Sequence, residues 1–152
     1  MKHLKLFFEQ DDSLPQIEVR IRAAERDEQI EYLIDKISAL DTDVLLITDV
    51  HNVTNTISAD TIIRLTVSGK QLNICTENGN YTVLRTLQYM EQILDPERFV
   101  RISRHEIVNL QKVQRFDFSL SGTLCLQFTD GTETWASRRC ISAIRKRISG
   151  KE

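Results

Sequence analysis

The stretch from Phe99 to Leu110 packs apolar anchors, cations and an amide into twelve positions. Phe99, Ile102, Ile107, Val108 and Leu110 can face a core, while Arg101, Arg104 and His105 can face an anion. A second basic element, Ser137-Arg138-Arg139, follows a hairpin-like stretch. Lys70 sits in the turn signal Ser68-Gly69-Lys70 between two strand patterns. Turn tips and strand-to-helix corners protrude, so these side chains can reach a neighbouring groove. Arginine pairs bidentately with the acceptors of guanine, and lysine and serine hold phosphate. The pattern therefore points to a surface that grips DNA. The plainer reading is solvated surface charge, which is ordinary for scattered Lys and Arg.

Other chemistries have thin support. Ser103, His105 and Asp117 could form a hydrolytic set only if the fold converged them, and no GxSxG elbow is present. GxxxxGK[ST] and GxGxxG loops are missing, which removes nucleotide binding. His3 and His51 have no neighbouring ligands. The three cysteines stand at 75, 125 and 140 with no CxxC pair, which argues against a zinc site or a disulfide framework. Cys75 and Cys125 lie in apolar strand patterns and read as small core residues. Cys140 lies beside two arginines. Asn109 lies between Val108 and Leu110, where an internal hydrogen bond fixing a turn is favoured over base reading. Trp135 reads as a buried hairpin anchor. Glu106 and Asp117 read as structural or exposed.

The 152 residues allow one domain with an appendage. A composition of 41% apolar and 28% charged residues fits a soluble globular chain. Apolar runs such as Val44-Leu45-Leu46-Ile47 are too short to span a bilayer, and the basic start loses its apolar run at Glu9, unlike a signal peptide. A cytoplasmic location is expected. The net charge of −2 taken alone disfavours DNA, but it is unevenly distributed. Residues 1–43 hold six Lys/Arg against eleven Asp/Glu, net −5; residues 44–152 hold fourteen against eleven, net +3. Residues 137–152 hold six against one. Screening over roughly 8–10 Å makes local charge decide phosphate contact.

The elements that must position these residues follow from periodicity. Residues 3–9 and 16–22 alternate apolar and polar positions around an Asp11-Asp12-Ser13-Leu14-Pro15 turn, which predicts two strands. Ile30, Leu33, Ile34, Ile37 and Leu40 give a helical stripe, with Glu25, Asp27 and Glu28 in its first turn. Residues 1–43 thus read as a ββα extension, set off by a polar break at 41–43. Strands are predicted over 44–48, 62–67, 72–76, 81–84, 99–102, 113–118, 124–128 and 134–136, with hairpin signals at Asn78-Gly79-Asn80, Ser121-Gly122 and Asp130-Gly131. A helix runs over 85–94, with Leu84 and Leu87 on its apolar side, and stops at Asp95-Pro96. A terminal helix begins after Ser137, a natural N-cap; Ile141, Ile144 and Ile148 face in, and Arg145, Lys146 and Arg147 face out.

From about Thr48 to Ile148 the chain resembles the LytTR DNA-binding domain family of bacterial transcriptional regulators. The resemblance rests on Phe99-Val100-Arg101-Ile102-Ser103-Arg104 followed by Ile107-Val108-Asn109-Leu110, on Leu126 through Asp130-Gly131, on Ala136-Ser137-Arg138-Arg139, and on Asn78-Gly79-Asn80-Tyr81 before a Leu-rich helix. Residues 1–43, with Val19-Arg20-Ile21-Arg22, look like the extension of stand-alone members that lack a receiver domain. The resemblance implies a mainly β fold with short helices, α+β overall, of antiparallel sheets preceded by the ββα segment. It implies that loops, rather than a recognition helix, enter successive major grooves. Base reading would fall on Lys70, Arg104 and Arg139. Lys70 stands where His is frequent and Arg104 where Asn occurs, so a base preference does not carry over. Redox cysteines of some relatives are replaced by Ile102 and Thr134. Family members bind repeated half-sites, often as dimers, and stand-alone members are often paired with a small membrane protein that restrains them.

The expectation is therefore a sequence-specific regulator of double-stranded DNA, with residues 44–152 as the DNA-binding domain and 1–43 as a dimerisation or regulatory element. Arg101, Ser103, His105, Ser137 and Arg138 would contact phosphate. No catalytic residue, metal, cofactor or small-molecule substrate is expected. The competing reading is a protein-interaction module whose basic corner docks an acidic partner. The helix over 25–40 could form a dimer surface or pack on its own core.

Overall fold

Period-two burial organises most of this chain. In β4 (Gln71–Thr76) alternate residues are buried, and β9 (Leu124–Phe128) buries its first, third and fifth residues. A computed structural model describes residues 3–15, 17–41 and 44–149. Beyond β4 and β9 they form α1 (Glu28–Asp41), β1 (Val44–Thr48), β2 (Thr54–Ser58), β3 (Ile62–Ser68), β5 (Gly79–Val83), α2 (Leu87–Ile93), β6 (Phe99–Ser103), β7 (Glu106–Asn109), β8 (Val113–Phe118), β10 (Glu133–Ala136) and α3 (Arg138–Ser149).

A five-stranded antiparallel sheet, ordered β5-β4-β3-β7-β6, forms the middle layer. One face meets the β1–β2 hairpin and α2 through Leu45, Ile57, Leu65, Ile74, Met90 and Ile107. The other meets the three-stranded sheet β10-β9-β8 and α3 through Ile63, Val100, Ile102, Leu126, Phe128 and Ile144. Strand β7 is covered on both faces and buries all four of its residues. Burying each such Leu, Ile or Val side chain contributes about 1.5–3 kcal/mol. The mainly β, α+β architecture matches the sequence reading, and all eight strands predicted beyond residue 43 form.

Two strands escaped that reading. Strand β2 has only one large apolar residue, Ile57, and β7 shows no alternation because both of its faces are covered. Asn109 at the end of β7 behaves as expected. It is wholly buried, donates from Nδ2 to the Ile62 carbonyl at 2.9 Å and accepts from the Gln111 amide at 3.0 Å.

The N-terminal region departs from expectation. The turn at Asp11–Leu14 forms, closed by the Leu14 amide on the Asp11 carbonyl at 3.2 Å. Yet residues 3–10 and 17–23 carry no strand pairing among the described residues, so the two strands of the ββα extension are absent. Most of their apolar side chains remain outside, with Leu6, Phe8 and Ile17 at 87%, 91% and 85% exposed, while Ile21 is half-buried. A lone two-stranded ribbon is marginal unless its apolar face packs on something, and no sheet among the described residues receives it. Part of the expected polar break, Thr42 and Asp43, lies outside the described residues, as does Gln16.

Helix α1 does form, one residue after Asp27, whose Oδ1 accepts the Ile30 amide at 3.0 Å as an N-cap. It packs on β1 and α2. Tyr89 of α2 donates its hydroxyl to Asp35, Lys36 donates to the Gln92 carbonyl, and Tyr32 meets the Tyr89 ring edge-on at 6.0 Å. Burial holds the Asp35 carboxyl above its ordinary range, and burial with the Asp35 contact also pushes the Tyr89 phenol up. Leu40, expected on the apolar stripe, is exposed at the helix end. Leu84, expected on the second helix, is exposed ahead of the Thr86 N-cap.

Candidate nucleic-acid interface

The interface is built at one end of the five-stranded sheet. Strand β3 runs out to Ser68, and Gly69 turns the chain at φ +64°, a conformation that suits glycine, so that Lys70 stands at the tip. Strand β7 is antiparallel to β3, with Thr66 opposite Glu106. The Val67 amide donates to the His105 carbonyl at 2.9 Å, which extends that pairing into the β6–β7 turn. The turn that carries Arg104 therefore lies beside the turn that carries Lys70.

The third basic element joins them through the edge strand. Strand β6 closes the sheet, and an edge strand leaves backbone groups open. Here the Ser137 amide donates to the Ile102 carbonyl at 2.8 Å. The β6–β7 register shifts between Arg101 and Ser103, so Ile102 sits in a bulge, a device that re-aims a strand next to functional sites. The start of α3 is thereby fastened to the strand that leads into Arg104. Lys70, Arg104, Arg138 and Arg139 are all exposed.

The remaining expected contact residues differ in how free they are. His105 is exposed, and its backbone amide donates to Ser103 Oγ at 3.2 Å. The Ser137 hydroxyl donates to Cys140 Sγ at 3.2 Å, and Cys140 packs against the second core. Arg101 is fully engaged. It donates to the Ser103 carbonyl at 3.0 Å, to the Arg104 carbonyl at 2.8 Å and to Glu91 of α2 at 2.9 Å. That guanidinium clamps the β6–β7 turn.

Sequence reasoning, which read Glu106 as structural or exposed, assigned no partners to three supporting groups. Glu91 anchors Arg101, and Glu106 and Thr134 are bonded to each other beneath the cationic end. Of the two readings of Glu106, the structural one holds: it is buried, and a buried acid among cations and apolar residues needs partners. Trp135, expected as a buried anchor, is 59% exposed on the outer side of β10. Arg147 is half-buried instead of facing out. Cys75 packs partly against the second core, whereas Cys125 points outward towards Glu133; burial raises both thiols. Ser103, His105 and Asp117 do not assemble. Asp117 is exposed on β8, the far edge of the other sheet. Among the described residues no cluster of His, Cys, Asp or Glu could hold a metal, and no helix is long and apolar enough to cross a membrane.

The described residues define a mainly antiparallel β scaffold with exposed cations at its turns and at the start of α3. Residues 52–149 match the LytTr DNA-binding domain family, and the chain belongs to that family. A solved LytTr DNA-binding domain from Bacillus cereus superposes with a TM-score of 0.63 at 21% identity, covering 69% of this chain and 95% of that one. Two curated relatives, described as uncharacterized HTH-type transcriptional regulators of Staphylococcus aureus strains NCTC 8325 and MW2, are each 26% identical over 149 residues. Each alignment covers 98% of this chain and 99% of the relative. The helix-turn-helix in those names has no counterpart among the described residues here, because α1, α2 and α3 are separated by strands.

Proposed function

We propose that this chain regulates transcription by reading double-stranded DNA with Lys70, Arg104 and Arg139, seated in successive major grooves of a repeated site. The observation that supports this reading is the pair of backbone hydrogen bonds, Val67 to His105 and Ser137 to Ile102, which join the end of β3 to the β6–β7 turn and the start of α3 to β6. Arg138, Ser137, Ser103 and His105 hold phosphates and set the register. Arg101 adds charge while keeping the Arg104 turn in shape. The chain works in the bacterial cytoplasm by binding alone, without a catalytic step, cofactor or small-molecule substrate. Selection of bound duplexes from a random pool tests this directly. An enriched, repeated motif is expected; no enrichment would leave the basic corner to an acidic protein partner.

Two copies act together, and residues 1–43 supply their contact. The exposed apolar side chains of Leu6, Phe8 and Ile17 support this, as does the absence of strand pairing within the segments that carry them. Sedimentation equilibrium should find a dimer for the native chain and a monomer for Leu6→Ser/Phe8→Ser. A native monomer would give the arm to another partner, such as a small membrane protein.

A further inference from the structure

We propose that Glu106, braced by Thr134 and Arg64, is a positioning residue that sets the separation between the Arg104 turn and the Arg138-Arg139 corner; this rests on the base-reading role proposed above. Glu106 is 9% exposed, and both of its carboxylate oxygens are occupied. Oε1 accepts from Arg64 Nη1 at 3.2 Å, and Oε2 accepts from the Thr134 hydroxyl at 2.6 Å. Glu106 belongs to β7 of the middle sheet, two residues from Arg104. Thr134 belongs to β10 of the three-stranded sheet, four residues before Arg138. Arg64, from β3, also lies over the Phe128 ring of β9 at 5.4 Å. One carboxylate therefore ties the two sheets together directly behind the cationic end.

Two physical arguments give the contact this role. The rest of the inter-sheet layer is mainly apolar. Apolar burial is non-directional, so it holds the sheets together without fixing their offset. A short charged hydrogen bond has a narrow geometry and fixes it. The second argument is electrostatic. A carboxylate beneath a phosphate-binding end opposes its partner, and a buried ion pair contributes little net stability. Its placement there is explained if it holds the two arginine-bearing elements at a set spacing.

The test uses the full chain and Thr134→Val, which keeps the shape and removes the hydroxyl, with Thr134→Ser as the restoring variant. Native protein first selects its duplex; no enriched motif would defeat base reading itself. With a motif in hand, Thr134→Val should lose about tenfold in affinity for that duplex, keep its affinity for mixed-sequence duplex, and select a motif blurred at the positions that Arg139 controls. Thr134→Ser should bind as the native chain does. Glu106→Gln, which weakens the Arg64 side of the brace, should shift the motif in the same way, and it serves as the test if Thr134→Val does not fold. The inference is overturned if the folded variants keep the native motif and affinity. It is equally overturned if specific and mixed-sequence binding fall together in proportion to the folded fraction.

Discussion

The Ser137 amide and the Ile102 carbonyl are joined at 2.8 Å, so the strand that leads into Arg104 and the helix that begins at Arg138 share one edge. Residues about 35 positions apart in sequence thereby become neighbours. The bond occupies a carbonyl on an edge strand, which would otherwise invite pairing with another chain. It also attaches the start of the basic corner to the strand that leads into the β6–β7 turn.

Arg139→Ala should weaken binding to the selected duplex by about 1–3 kcal/mol and leave the melting temperature unchanged, because the side chain is exposed. Titration against specific and random duplexes checks it. Equal losses on both would remove Arg139 from base reading.

Arg138 and Arg101 should separate. Arg138 is exposed, and its replacement by Ala should weaken binding on every sequence and lower the salt slope by about one. Arg101 is engaged with Glu91 and two carbonyls. Arg101→Ala should instead cost mainly specific affinity, with a smaller change of slope, and Glu91→Gln should do the same more weakly. Binding isotherms over a salt series distinguish the two patterns; a larger slope change for Arg101→Ala would contradict the clamp.

Asn109→Ala should destabilise the fold by roughly 2–4 kcal/mol, since it leaves the Ile62 carbonyl and the Gln111 amide without their partner and opens a small void. Urea unfolding should show a lower midpoint with an unchanged slope. A loss below about 0.5 kcal/mol would mean that water replaces the amide.

Asp35 predicts an unusual pH dependence. Burial raises its carboxyl pKa above the ordinary 3.8, so the folded chain takes up this proton more readily than the unfolded one. The group's stabilising contribution is therefore fully present below that ordinary value and is lost as pH rises through the raised one. Asp49 and Asp130, held low by hydrogen bonds from Val53 and Thr132, act in the opposite sense. The comparison with Asp35→Asn isolates the effect. Relative to that variant, native stability should fall as pH rises from 4 towards neutrality, and a pH-independent difference in urea midpoints would count against it.

The sequence by itself determined the strands with one solvent face and one core face, because period two survives wherever a single side is covered. It also marked Lys70, Arg104, Arg138 and Arg139, since cations at turn signals have few places to go except outward. Central strand β7 carries no such periodicity, and the tertiary structure alone disclosed it. The N-terminal alternation promised strands that do not pair among the described residues, because a pattern specifies which face is apolar but supplies no partner for it. Glu106 and Thr134 are 28 residues apart, and no local signal links them. Their bond exists because two sheets pack face to face, an arrangement that only the tertiary structure decides.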